Sequence, residues 1–486
     1  MSPEPQTPTG TFRLWVGGAA RDASAGTFQP VIDPATEDAI AEVAWAGAPD
    51  VDHAVRAGLD AFPGWRRTAV RDRGRMVRSM ATILREHQEE FARLDALDGG
   101  FPVANMRNDV LWAAELLELF ADWAMELKGE TIPASAEHLH FTQREPFGVV
   151  GRIVPFNHPI FFAAGKVAAP LVAGNTVVLK PAEQTPLSAL RFAELAAEVL
   201  PPGVLNVVTG GREAGEALVR HPQVRRLAFI GSDAVGRAIQ RGAADVGVKD
   251  ITLELGGKNA MIVLPDADLD AAARGVVAGM NFIGSAGQSC GSNSRLLVQR
   301  TIADDLVERV VAQVQQLRLG SPLDDETQVG PLVSAAQRAR TEEFVDAARQ
   351  EGATLRLGGR RPEGRDRGFW YEPTVFTDVL PTSTLGQQEV FGPVLAAMSF
   401  DDIDEAVQIA NDVDYGLTAS IWTQDLAAAH RTIRDLEAGY IWVNGSSRHF
   451  WGVPFGGMKS SGVGREESIE ELLSFTQTKA VHVLLD

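Results

Sequence analysis

The chain contains one cysteine, Cys290, in the run Gly284-Ser285-Ala286-Gly287-Gln288-Ser289-Cys290-Gly291-Ser292. A lone thiol cannot belong to a disulfide framework, and the flanking glycines let a substrate or cofactor approach it closely. Free cysteine is also among the most buried residue types, so simple packing is the competing reading of residue type alone. The neighbours weigh against packing, because they are small and polar rather than an apolar run.

Other segments carry residues suited to chemistry. Pro155-Phe156-Asn157-His158-Pro159 brackets an asparagine with prolines that fix the backbone, so its amide can be held rigidly as an oxyanion donor requires; an Asx-turn cap is the alternative. In Thr252-Leu253-Glu254-Leu255-Gly256-Gly257-Lys258 an acid ends an apolar strand and two glycines follow. Apolar surroundings raise a carboxyl pKa and suit a general base, whereas a solvated loop-edge glutamate does nothing of the kind.

A second group of segments suits a nucleotide. Lys180 and Glu183, in Lys180-Pro181-Ala182-Glu183-Gln184-Thr185-Pro186, follow a strand at the edge where open α/β sheets bind ligands. They have the chemistry to bond a ribose, and Glu183 would repel a 2′-phosphate; an exposed charge pair at a turn reads equally simply. Phe229-Ile230-Gly231-Ser232 runs from a strand into a helix start, a place for a pyrophosphate, although serine is also an ordinary cap. No Gly-x-Gly-x-x-Gly fingerprint follows any of the strands. Gln388-Glu389-Val390-Phe391-Gly392-Pro393 and the glycine-rich run 454–466 complete the set.

The elements that must position these residues follow from periodicity. Strands are expected at 149–154, 176–180, 204–209, 227–230 and 251–254, alternating with helical patterns, which is the signature of a parallel sheet built from βαβ units. Phe192, Leu195, Ala196, Val199 and Leu200 form one helical stripe, stopped by Pro201-Pro202-Gly203. A doubly wound nucleotide-binding unit is the natural architecture. A second α/β domain follows over about 260–460, with the helical stripe Ile302, Leu306, Val310, Val314, Leu317 and strands at 419–423 and 440–444. The first 125 residues read as mostly helical. Residues 128–147 and the tail from Phe475 read as strands outside either domain, which favours a homo-oligomer that covers them.

At 486 residues two or three domains are expected. A net charge of −19 opposes nonspecific attraction to nucleic acid or anionic membrane, so neither partner is expected. The start of the chain has no positively charged and apolar leader, and no apolar stretch reaches membrane-spanning length. With one unpaired thiol, a reducing compartment, the cytoplasm, is expected. The first ten residues, rich in proline and threonine, read as a frayed tail.

Taken together and in this order, the motifs resemble those of the aldehyde dehydrogenase superfamily from about residue 13 to 482. The resemblance implies an α/β fold with two doubly wound parallel-sheet domains and a small oligomerisation flap. Residues 1–127 and 148–256 would form the Rossmann-like NAD-binding domain, 257–468 the catalytic domain, and 128–147 with 469–486 the oligomerisation segments. It implies Cys290 as nucleophile, Asn157 as oxyanion amide, Glu254 as general base, and Lys166 with Glu466 as relays of its proton. Pro155, Phe156, Lys180, Glu183, Gly231, Ser232, Gly236, Leu255, Gly256, Glu389 and Phe391 match cofactor-contacting positions. The family binds its nucleotide without Gly-x-Gly-x-x-Gly.

The implied activity is NAD-dependent oxidation of an aldehyde to the acid through a thiohemiacetal and a thioester, with NADP disfavoured by Glu183 and no metal. The alternatives are acyl transfer to coenzyme A, against which Glu254 argues, and a silent binding protein on the same fold. Departures concern the substrate: Phe156 and His158 flank Asn157, and Gly165 stands one turn beyond Phe162 where relatives often carry a bulky aromatic, which implies a wider tunnel. Ile230 replaces a common threonine and is expected to face the core. Arg448, His449 and Trp451 align with the tunnel mouth, suited to an aromatic or other bulky aldehyde, or to one with an anionic tail. A homodimer or homotetramer is implied.

Overall fold

The computed structural model describes residues 10–485. The expected frayed start, apart from Gly10, lies outside them. Two large sheets organise the chain. In the first, five strands run parallel in the spatial order Asp250–Glu254, Val224–Ile230, Val149–Ile153, Thr176–Lys180, Leu205–Val207. They form because short β-branched runs, buried on both faces, are separated by glycine and proline stops. The strand order reverses between Val149–Ile153 and Val224–Ile230, and such a switch point opens the ligand crevice of a doubly wound sheet.

Antiparallel strands close both edges. Leu14–Val16 pairs with Leu205–Val207 on one side. On the other, Gly462–Val463 crosses back from the far part of the chain to pair with Leu253 and Glu254. This corrects the expectation that 257–468 stays within a second domain, and it carries Arg465, Glu466 and Glu467 to the end of the Glu254 strand.

The second sheet has seven strands, in the order Thr354–Leu357, Thr374–Thr377, Val394–Phe400, Arg295–Gln299, Ala260–Val263, Thr418–Trp422, Tyr440–Val443. All its pairings are parallel except the first. The stripe Leu306, Val310, Val314 is buried on the helix Ala303–Val314, with Ile302 just outside it in a 3₁₀ turn. No helix among the described residues is long and apolar enough to cross a membrane.

The amino-terminal region is mostly helical as expected, but its start differs. Residues 11–44 hold five short strands, and helices begin only at Ala48–Arg67. Strands of two to six residues, such as Ala39–Ala44, leave too short a pattern to compete with the helical signal downstream. Three helices, Val70–Glu86, Gln88–Gly99 and Val103–Asp122, then pack together and bury Val77, Phe91, Val110 and Leu117 in the core that reaches the first sheet. The two outlying strands find each other: His138–Pro146 pairs antiparallel with Thr476–Leu484 in a two-stranded flap, leaving Leu139, Val483 and Leu484 exposed.

Candidate active site

One cavity of about 510 Å³ lies between the two sheets and the helix Val103–Asp122. It brings together Cys290, Glu254, Leu255, Lys166, Glu466, Glu467, His158, Phe162, Arg448, His449 and Trp451. Residues as distant in the chain as His158 and Glu467 thus share one wall.

Cys290 is held by its backbone. The Asn259 side-chain amide donates to the carbonyl oxygens of Cys290 at 2.7 Å and Ser292 at 2.9 Å, while its own oxygen accepts from the Thr418 N–H. Gly287 turns the preceding loop at φ +72°, and a Cβ there would lie 2.3 Å from the Gly392 oxygen, so only glycine lets the cysteine loop meet the Gly392-Pro393 turn. The thiol is half-buried, and loss of water followed by the negative charges of Glu389, Glu254 and Glu467 pushes its pKa up to about 12.

Glu254 ends its strand at 4% exposure, and neither carboxylate oxygen has a hydrogen-bond partner among the described residues. Burial, and then the charge of Glu466, raise its pKa well above the ordinary value. The acids brought beside it are paired. Glu466 bonds Arg152 at 2.5 Å and Lys166 at 2.9 Å. Glu467 meets Lys166 at 3.4 Å and His449 Nδ1 at 2.8 Å. Burial opposes ionisation of Glu467, yet His449 and Lys166 hold it down to about 2. Arg152 and Lys166 likewise hold Glu466 below the usual range against burial.

Around the crevice of the first sheet stand the expected nucleotide residues. Pro155 and Phe156 leave the Val149–Ile153 strand, and Gly231 and Ser232 leave Val224–Ile230, so the two sides of the switch point carry both pairs. The Ser232 hydroxyl makes no capping bond, leaving the first-turn N–H groups of the helix Asp233–Ala244 open. Lys180 is buried, with a pKa lowered by burial to about 8, and donates only to the Pro181 oxygen, while Glu183 is exposed beside Gly211. Glu389 lies against Gly256 and accepts from the Gly257 N–H at 2.9 Å. Phe391, at φ +58°, meets Phe156 edge-on at 5.6 Å. Gly236 is covered by Leu255, so it shapes helix–strand packing rather than offering a free surface.

Asn157 is 2% exposed between Phe156 and His158 and lies just outside the cavity wall. Gly165 contradicts its expected role. It ends a π-helical turn, Phe161–Gly165, with its open side toward Leu116, whose Cδ2 would be 3.0 Å from a Cβ; the space is filled by the helix Val103–Asp122 and no wider tunnel results. Ile230 is buried but also lines the cavity, where only core contact was expected.

Several site residues escape the motif reading. Asp109 bonds His158, Glu115 bonds Trp451, and Arg152, Glu467 and Glu471 complete the buried charge cluster. Signals for some were present: Arg152 interrupts an apolar strand, and Asp109 falls in the buried stripe Met106, Asp109, Val110, Ala113.

Comparison with known proteins follows this geometry closely. The model of the aldehyde dehydrogenase family matches residues 20–481. The aldehyde dehydrogenase tropH of Talaromyces stipitatus is 44% identical, covering 93% of this chain and 90% of that protein. PnpE from Pseudomonas sp. WBC-3, also solved in complex with nicotinamide adenine dinucleotide, is 41% identical with a TM-score of 0.95, covering 98% of both chains. The NAD⁺ complex of an aldehyde dehydrogenase from Bacillus cereus is 38% identical at a TM-score of 0.95, covering 98% of this chain and 97% of that one. The chain belongs to the aldehyde dehydrogenase family, a class of aldehyde-oxidising oxidoreductases.

Proposed function

We propose that the protein oxidises an aromatic or other bulky aldehyde to its carboxylic acid with NAD, using Cys290 as nucleophile and Glu254 as the base for hydrolysis. The observation that carries this reading is the single cavity in which the only thiol of the chain faces a buried carboxylate with two unpaired oxygens.

The nucleotide fits the residues present. The open helix start at Ser232 suits a pyrophosphate, Lys180 and Glu389 suit ribose hydroxyls, and Pro155, Phe156, Gly231, Gly256, Leu255 and Phe391 line the crevice at the switch point. The exposed Glu183 carboxylate opposes a 2′-phosphate, which favours NAD over NADP. When bound, the cofactor supplies a hydride acceptor.

Cys290, a neutral thiol at about 12 in the protein alone, must give its proton to Glu254 or to water in the cavity before it attacks. Its sulfur then bonds the aldehyde carbon, and the oxyanion is held by the Asn157 amide and the Cys290 N–H. As the C–O double bond re-forms, hydride leaves the carbon and a thioester remains on Cys290. Glu254 takes a proton from water as that water attacks, and the C–S bond breaks to release the acid and free sulfur. Lys166 and Glu466 supply the next proton-holding groups behind Glu254, joined at 2.9 Å. Retention of a base for water favours hydrolysis over transfer to coenzyme A.

The flap formed by residues 138–146 and 476–484 suits a contact with a second copy, because its apolar residues Leu139, Val483 and Leu484 are exposed. A single free thiol suits the reducing cytoplasm.

The direct assay follows NADH on mixing the protein with an aldehyde panel and NAD alone. Turnover is expected in the wild type and none in Cys290→Ser. Absolute dependence on coenzyme A, or activity that survives the substitution, would contradict the reading.

A further inference from the structure

The outer part of the cavity has an uneven polarity. Its rings include Trp112, Phe161, Phe162, Trp442, Trp451 and Phe455, and its acids besides Glu254 and Glu466 are Asp109, Glu115 and Glu467. Each of these acids is already met by a ring nitrogen. His158 Nδ1 lies 2.8 Å from Asp109 Oδ2, Trp451 Nε1 donates to Glu115 Oε2 at 2.7 Å, and His449 Nδ1 lies 2.8 Å from Glu467 Oε2. Asp109 and Glu467 are therefore buried behind their rings, while Glu115 stays exposed beside Trp451.

His158 is the most telling of the three. Asp109 has only 2% of its side chain exposed, on the helix Val103–Asp122, whereas the imidazole in front of it keeps 26% exposed toward the cavity. A buried carboxylate that accepts from Nδ1 fixes the ring orientation and favours the doubly protonated form, in which Nε2 is a second N–H donor on a ring that lines the cavity. The ring is further set by Phe162 and Phe161, edge-on at 5.7 and 6.3 Å. Arg448 stands exposed at the same mouth, seated over Phe450 at 4.9 Å, and adds a second cation on the approach.

Resting on the aldehyde reading above, we propose that the substrate carries a carboxylate at the end remote from the aldehyde, and that His158, backed by Asp109, recognises it through a charge-assisted hydrogen bond. Trp451 and Phe161, stacked on each other at 5.9 Å, form the apolar wall beside that path. A neutral aldehyde would offer the Nε2 donor no charged acceptor.

The charged groups around His158 support this. Burial disfavours its cationic form, but Asp109, Asp95 and Glu467 outweigh burial and raise its pKa. Asp95, on the helix Gln88–Gly99, is itself raised to about 7, first by burial, so it is only partly ionised near neutrality. Glu467 is matched by Lys166 and His449.

The test compares 4-carboxybenzaldehyde with its neutral methyl ester as substrates, taking the ratio of kcat/KM within each protein. In the wild type the acid is favoured by about tenfold or more at pH 6.5, as one charge-assisted hydrogen bond implies. The preference falls as pH rises through the His158 pKa, where the imidazolium is lost. In His158→Gln the ratio drops to within about twofold of one and no longer depends on pH. Asp109→Asn, which keeps the ring but removes the charge behind it, lowers the ratio in the same direction. Equal use of acid and ester by the wild type, or a preference that survives His158→Gln, overturns the inference alone. Failure to oxidise either compound overturns the aldehyde reading and the inference with it.

Discussion

Glu254 and Glu466 face one cavity and are almost equally buried, at 4% and 3% exposed, yet their carboxyls are driven in opposite directions. Around Glu466 the buried cations Arg152 and Lys166 more than offset the loss of water. Around Glu254 no donor among the described residues bonds either oxygen, and its largest influence after burial is the charge of Glu466. Burial alone therefore does not assign roles; what decides is which acid receives the cations. The paired acid is held ionised, whereas the unpaired one is pushed toward its protonated form, the condition that a group able to take and give a proton requires.

The sharpest way to break this comparison is Glu254→Gln. With the base gone, steady-state kcat is expected to fall by roughly 10²–10⁴-fold. Glu466→Gln is expected to cost far less, and equal losses in a rapid-mixing and steady-state comparison would erase the distinction.

A middle-sized effect separates the two ends by sign. Glu254 must be ionised to accept a proton, so kcat falls as pH drops through its folded pKa, which stands above the ordinary carboxyl range. Removing the negative charge in Glu466→Gln lowers that pKa and moves the acid limb of the kcat–pH profile to lower pH. Removing the positive charge in Lys166→Met moves it to higher pH. Lys166→Met also leaves Glu466 and Glu467 short of a buried partner, and urea unfolding is expected to show a loss of about 3–5 kcal/mol. Shifts in one common direction would contradict the assignment.

The smallest effect concerns Gly165. Gly165→Ala places a methyl 3.0 Å from Leu116 Cδ2, a flexible end that can yield, so a loss of about 1 kcal/mol is expected by thermal or urea unfolding. The ranking of aldehydes is expected to stay the same, since the glycine faces packing and not substrate.

Legibility followed the strength of local patterns. The strands of the first sheet, Thr176–Lys180 and Asp250–Glu254 among them, stood out as apolar runs ending in chemistry-bearing residues at the carboxyl edge. Cys290, Asn157 and Glu254 stood out because each breaks the character of its surroundings. The strands within 11–44 did not, being too short to show a period. Nor did Asp109, Glu467 and His449 as partners, because pairing across the fold depends on Gly462–Val463 returning to the first sheet and on a helix crossing the cavity. Gly165 was misassigned for the same reason: spacing showed which turn it occupied but not that Leu116 fills the facing space.

The central claim, that Cys290 carries the acyl group and Glu254 releases it, is tested most directly by intact-mass spectrometry of Glu254→Gln after mixing with an aldehyde and NAD. The account predicts about one equivalent of NADH and a mass increase of one acyl group, mapped to Cys290 and absent from Cys290→Ser. Release of NADH without an adduct, or an adduct on any other residue, would contradict it.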